Sequence, residues 1–256
     1  MTALLDARGI QKSFDGIVAV HDLDVVVEAG ETVGLIGPNG AGKTTFFNCL
    51  LGVLRSNRGV VMFDGEDISD LRVHERVRRG IGRTFQRIEL FGESTVREHL
   101  LIAERVRRGT GRLWKDLLGL GRVQPDEVSN CDEVLEMLGL AGLADEPIEH
   151  LSLGQCRLVE GGRALMTQPK LLLLDEPSSG LDRKETSDLA ATLRKVQAER
   201  GFAILLVEHD VEFVAGFTER SYVLDFGVKI AEGPTKEVLR HPAVREAYLG
   251  TSAEEQ

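Results

Sequence analysis

The chain of 256 residues is short of several things, and each shortage excludes something. It has three cysteines, Cys49, Cys131 and Cys156, far apart and odd in number. They can build neither a disulfide framework nor a metal cluster, so reduced thiols are expected. Positive charge is in deficit: 31 Lys and Arg stand against 41 Asp and Glu, a formal net charge of −10. A phosphate backbone calls for a basic surface, so no general nucleic-acid partner is expected. No apolar run approaches bilayer length; the longest are short blocks such as 171–174 and 202–207. The opening MTALLDARGI lacks a basic region followed by a long apolar core. No signal peptide is therefore expected, and a cytoplasmic location follows.

What is present is ordinary for a globular protein: 42% hydrophobic and 28% charged residues. The length suits one large α/β domain or two modest ones. Arginines cluster at Arg72, Arg76, Arg78, Arg79, Arg83 and Arg87. They could face an anionic partner, or they could sit at helix C-termini, where the helix dipole favours cations. The hexapeptide ERVRRG occurs at 75–80 and again at 104–109, each time with Gly where a helix would stop. The helix-end reading is the better supported of the two.

The sharpest signal is VGLIGPNGAGKTTFF at 33–47. Val33–Ile36 reads as a short buried strand. Gly37, Pro38, Asn39, Gly40, Ala41, Gly42, Lys43 and Thr44 then fill G-x-x-x-x-G-K-[ST], followed by Thr45. Phe46, Phe47, Leu50 and Leu51 have helical spacing behind it. Strand, glycine-rich loop and helix are the context this motif needs. Small residues let successive N–H groups converge on phosphate oxygens, and the helix N-terminus adds positive partial charge. Lys43 can reach the β and γ phosphates of a nucleotide, and the Thr44 hydroxyl can ligate Mg²⁺.

A second strand-like run, Leu171–Leu174, ends abruptly in Asp175 and Glu176. Ligands sit at the carboxyl ends of strands in open parallel sheets. Asp175 is thus a candidate for Mg²⁺, and Glu176 for the general base that polarises a water attacking the γ-phosphate. A third run, Ala203–Val207, ends in Glu208, His209 and Asp210. His209 would face the same crevice, where an imidazole can bridge the γ-phosphate and water. Gln86 could ligate Mg²⁺ or orient water, although chemistry alone does not separate it from a surface glutamine.

These residues together resemble a family. GPNGAGKTT (37–45), TFQ (84–86), LSLGQ (151–155), LLLLDEP (171–177), SGLD (179–182) and EHD (208–210) are similar to the motif set of ABC transporter ATP-binding subunits. The resemblance covers nearly the whole chain. It implies an α/β fold: a P-loop NTPase core with an antiparallel β subdomain and an inserted helical subdomain. It also implies ATP and Mg²⁺ as ligands. In that family two subunits pair head to tail, and LSLGQ would be the signature that closes on the partner's ATP. Ser152, Gly154 and Gln155 would then contact nucleotide, with Asp182 at the dimer interface. Leu153 departs from the usual Gly of LSGGQ. Cys156 and the glycines of VEGGRAL depart too. By the same resemblance Gln86 joins the metal site to the surface that meets the membrane subunit, His209 is the switch histidine, and Phe14, with Val20 nearby, stacks on adenine.

GRTFQRIELFGESTVREHLLIA (82–103) and GPTKEVLRHPAVREAYLG (233–250) further resemble the importers of branched-chain amino acids. The region 107–127 resembles an insertion in one of their two ATPase subunits. The expected architecture is a core of 1–87 and 166–256 around a helical subdomain of 88–165. Within it Asp64-Gly65 reads as a hairpin turn and 132–143 as a helix. The implied partners are a second ATPase subunit, the same or different, integral membrane permease subunits and, indirectly, an extracytoplasmic solute-binding protein. The place is the inner face of the cell membrane. Alternatives are the ATPase of another ABC system, such as lipopolysaccharide export or urea and amide import, or a non-transport ABC ATPase. The last usually carries two nucleotide domains or a long coiled coil, and this chain has one phosphate loop and no sustained heptads.

Overall fold

The computed structural model describes residues 3–84, 90–108 and 124–251. Two sheets carry the fold. The smaller has the order β2-β1-β4-β5, built from β1 (Leu5–Phe14), β2 (Ile17–Val27), β4 (Arg58–Phe63) and β5 (Glu66–Asp67), all antiparallel. The β4–β5 turn is Asp64-Gly65, with φ of 49° and 80°. Positive φ at both central residues is the twist that a two-residue hairpin demands.

The larger sheet has the order β10-β9-β3-β8-β7-β6. Its members are β3 (Thr32–Ile36), β6 (Ile81–Arg83), β7 (Leu171–Asp175), β8 (Ala203–Glu208), β9 (Arg220–Asp225) and β10 (Val228–Pro234). All pairs are parallel except β10 on β9. Its central strands β3, β7 and β8 are wholly buried and mostly apolar because both faces are covered. Leu171, Leu173, Leu205 and Val207 join a core shared with the small sheet and α1 (Lys43–Leu51). Leu172, Leu174, Ile204 and Leu206 face the other way. The two-residue period of a strand produces this division.

The opposite core is helical. It holds α3 (Val96–Arg108), α4 (Pro125–Met137), α5 (Leu153–Leu165), α6 (Arg183–Arg200) and α7 (Val211–Phe217). The helices of 88–165 thus share one hydrophobic cluster with a face of the large sheet. Gly162 of α5 lies where a Cβ would stand 2.9 Å from Leu138 Cδ1 and 3.4 Å from Leu100 Cδ1. One departure in VEGGRAL therefore has a packing cause: it lets α5 approach its neighbours. The chain ends in α8 (Thr235–Val238) and α9 (Pro242–Thr251).

Arg76 and Arg79 of the arginine cluster serve the fold, Arg79 by pairing with Glu66. α2 (Val73–Arg79) stops at Gly80, φ 109°. Buried Arg76 donates to the carbonyls of Cys49, Leu50, Ser69 and Leu71, capping the end of α1. In the second ERVRRG copy, buried Glu104 accepts from Arg107 and Arg108. Gly109 and Arg87 lie outside the described residues. All three cysteines are free and buried.

Candidate functional site

The site grows from the carboxyl end of β3. Gly37 leaves the strand at φ 151°, and a Cβ there would stand 2.1 Å from the Leu224 carbonyl oxygen of β9. Gly42, φ 96°, would bring its Cβ within 2.3 Å of Ala19 O. Backbone against backbone leaves no room for any other residue at either place. The loop is thereby moulded against β9 and β2. Asn39, Gly40 and Thr44 are exposed, Thr45 and Gly42 half-buried, and Pro38 and Ala41 buried. α1 begins at Lys43 with no side-chain cap and no acidic residue in its first turn. Its positive end is left for an outside anion.

Lys43 is buried, and its ammonium donates to Gly37 O at 2.6 Å and Pro38 O at 2.9 Å. Burial lowers its pKa, while Glu176, Glu208 and Asp175 act in the opposite direction. Three carboxylates from two neighbouring strands therefore gather around this lysine.

Asp175 closes β7 and is buried. Its Oδ2 accepts from Arg83 Nη2 at 3.1 Å, while Oδ1 is buried with no hydrogen-bond partner among the described residues. Burial raises its pKa, and Arg83 pulls the other way. A buried carboxylate oxygen left over in this manner is an open coordination position for a hard cation. With the exposed Thr44 hydroxyl it fits Mg²⁺. Gln86, the third residue expected there, lies outside the described residues.

Glu176 sits in the left-handed region at φ 47°, held by its N–H on Val207 O at 2.9 Å. Such strain costs of order 1–3 kcal/mol and collects at functional sites. Its Oε1 lies 3.8 Å from His209 Nδ1. His209 is half exposed and also 3.8 Å from Glu208 Oε2. Glu208 is fully buried and ties the two strand ends together. Its Oε1 accepts from Ser178 N and Ser178 Oγ, and its Oε2 from the amides of His209 and Asp210. No local pattern assigns a role to Glu208 or Arg83. The signal for Glu208 is a charge closing a wholly apolar strand; Arg83 stands among arginines whose spacing points to helix ends.

Phe14 is 43% exposed, with Lys12 Nζ 5.0 Å from its ring centroid, and Ile17 and Val18 beside it are exposed too. This apolar strip adjoins Ala19, and so the phosphate loop, and can take a planar base. Val20 cannot contribute: its side chain is fully buried in the core between the sheets. The expectation for Val20 is corrected by a bulge in β2: Lys12 pairs with Val20 and Ser13 with Val18, and this break in register turns residue 20 inward although Val18 is exposed.

Ser152, Gly154, Gln155 and Asp182 form a second group. Ser152 caps α5: its Oγ accepts from Gln155 N, and its N–H donates to Gln155 Oε1 at 2.8 Å. Gln155 therefore completes a capping box. Asp182 caps α6 with Oδ1 accepting from Glu185 N at 2.8 Å. Glu185 Oε1 in turn lies 3.4 Å from Gly154 N. Leu153 packs on Gly180, whose Cβ would stand 3.0 Å from Leu153 Cδ2. The bulky residue is accommodated because position 180 has no side chain. Among the described residues these groups bond to one another within the chain, through Ser152–Gln155, Gly154–Glu185 and Asp182–Glu185.

Residues 20–179 match the family model described as ABC transporter. Residues 228–254 match a branched-chain amino acid ATP-binding cassette transporter model. The chain is 37% identical to the high-affinity branched-chain amino acid transport ATP-binding protein BraF of Pseudomonas aeruginosa, over 96% of this chain and 98% of that protein. It is 36% identical to the lipopolysaccharide export system ATP-binding protein LptB of Haemophilus influenzae, over 97% of this chain and 98% of that one. A crystal structure of the ADP conformation of an ATP-binding cassette from an ABC transporter superposes with a TM-score of 0.88 at 34% identity, covering 98% of this chain and 100% of the other.

Proposed function

This chain belongs to the ABC transporter ATP-binding family, and we propose that it is the ATP-hydrolysing subunit of a branched-chain amino acid importer. The observation that carries the ATPase reading is the convergence of Lys43, Asp175, Glu176 and His209 at the carboxyl end of one parallel sheet. The amino acid assignment is supported by the match at 228–254 and by the likeness to BraF. A second reading, lipopolysaccharide export, is favoured by the likeness to LptB.

The chemistry follows from the side chains. Backbone N–H groups of 38–45 and the Lys43 ammonium bind the phosphates, and Phe14 offers its ring to the base. Thr44 and Asp175 would hold Mg²⁺, which would supply positive charge to offset that of the phosphates. Glu176 takes the proton of the attacking water, and His209 holds that water against the γ-phosphate. Ser152, Gly154 and the α5 N-terminus of a second subunit complete the site, which requires Glu185 to release the Gly154 amide. Residues 1–87 and 166–256 act as the nucleotide-binding core, and 88–165 as the helical subdomain that passes closure to membrane permease subunits. The chain works on the inner face of the cell membrane.

The test is uptake of radiolabelled leucine, isoleucine and valine by cells lacking the chain. Wild type restores uptake and Lys43→Ala does not. Full uptake without the chain would reject the assignment, and restored lipopolysaccharide export in its place would favour the second reading.

A further inference from the structure

Arg83 is the last residue of β6, and it stands between the two elements that carry Thr44 and Asp175. In the parallel ladder Arg83 pairs with Leu173 of β7, and Thr84 N donates to Leu173 O at 3.0 Å. Paired residues of neighbouring strands point to the same face, and so do residues two apart on one strand. Leu173 shares its core with Phe46, Phe47 and Leu50 of α1. Arg83 and Asp175 therefore lie on the face that α1 covers. The guanidinium uses this position twice. Its Nη2 donates to Asp175 Oδ2 at 3.1 Å, and its Nη1 to Asn48 Oδ1 of α1 at 3.4 Å. Asn48 lies four residues after Thr44, one turn behind it on the same face of the helix.

One planar fork thus holds the strand that ends in Asp175 and the helix whose first turn carries Thr44. It also decides which oxygen of Asp175 is left over. Arg83 takes Oδ2, while Oδ1 is buried with no hydrogen-bond partner among the described residues. The Asp175 side chain is 2% exposed and that of Arg83 19%, so water does little to orient the pair. A lysine would not serve equally. Its ammonium is a point charge, whereas a guanidinium presents several donors in a fixed plane.

We propose that Arg83 is a positioning residue for Mg²⁺, tying Asp175 Oδ2 to Asn48 so that Asp175 Oδ1 and the Thr44 hydroxyl are held ready for the ion. This rests on the nucleotide-binding reading above. The part of Arg83 is to set the spacing of the groups that bind, and partners of this kind are worth roughly 10- to 100-fold in metal affinity.

The experiment uses the full-length chain and a fluorescent ATP analogue, bound first in EDTA, after which free Mg²⁺ is raised. Arg83→Met keeps the length of the side chain and removes its charge and donors. It should bind the analogue as tightly as wild type in EDTA, while its Mg²⁺ midpoint rises roughly 10- to 100-fold. Asn48→Ala keeps the ion pair with Asp175 and removes the second anchor, so its midpoint should rise too, but by less. Arg83→Lys should recover only part of the loss. A wild-type midpoint in either Arg83→Met or Asn48→Ala would overturn the proposal. So would a lower midpoint, which would make Arg83 a competitor of the ion, or full recovery by Arg83→Lys, which would reduce its part to charge. Weakening of equal size in EDTA and in Mg²⁺ would also overturn it, since that is the mark of a purely structural arginine. A wild type that binds no analogue, or whose binding ignores Mg²⁺, would overturn the nucleotide-binding reading itself.

Discussion

Two adjacent glycines in α5 should respond oppositely to the same added methyl. At Gly162 the new Cβ would stand 2.9 Å from Leu138 Cδ1 and 3.4 Å from Leu100 Cδ1. Carbon contacts are optimal at ~3.5–4.0 Å, so a leucine must shift by roughly half an ångström or more. Leu100 is 0% and Leu138 3% exposed, so neither has open space to move into. Overpacking of this kind costs ~1–3 kcal/mol. Replacing Gly by Ala inside a helix returns ~1 kcal/mol. Gly162→Ala should therefore range from neutral to a loss of about 2 kcal/mol. At Gly161 a Cβ meets nothing within 4 Å, and a small cavity lined by Thr84, Leu174 and Leu189 lies beside it. Gly161→Ala should gain about 1 kcal/mol from propensity alone. The two variants should differ by ~1–3 kcal/mol, with a melting shift of about 2–4 °C per kcal/mol at this chain length. Urea and thermal unfolding of both single variants measure it. Equal stabilisation by both would refute the claim that the missing Cβ of Gly162 sets the approach of α5.

Two further outcomes follow from buried carboxylates. Burial pushes Glu104 up, but Arg107, Asn130 and Arg108 outweigh it and bring the group from 4.5 down to about 2. That stabilisation, roughly 3 kcal/mol, is complete above pH 4.5 and lost as pH falls towards 2. Glu104→Gln should therefore lower the urea midpoint at pH 7, with the gap to wild type closing at pH 3; a constant gap would contradict the pairing. Asp175 behaves oppositely: its folded pKa is raised by burial, so stability falls as pH rises from its unfolded to its folded pKa. Asp175→Asn should melt higher than wild type at pH 7 without nucleotide and lose Mg²⁺-dependent hydrolysis; a lower melting temperature would count against the carboxylate being strained in place.

The legible parts of this protein were those in which the physics is local. Gly37 to Thr44 could be read because phosphate binding needs fixed spacing along one loop. Leu171–Leu174 and Ala203–Val207 could be read because strands buried on both faces are continuous apolar runs. Asp64-Gly65 announced its hairpin by the dihedral angles only such residues adopt easily. What escaped depends on residues far apart in the chain. Nothing near Arg83 says that it pairs with Asp175, 92 positions on. Val20 was placed by likeness and turned inward by the register of β2. Gly162 makes sense only once Leu100 and Leu138 are seen across from it.

The central claim is that this chain hydrolyses ATP with Glu176 as base. The most direct test is steady-state phosphate release by wild type and Glu176→Gln with ATP and Mg²⁺, alongside ATP binding by both. Binding should persist in the variant while release falls by ~10²–10⁴-fold, the usual contribution of a general base. Phosphate release by Glu176→Gln at the wild-type rate would contradict it.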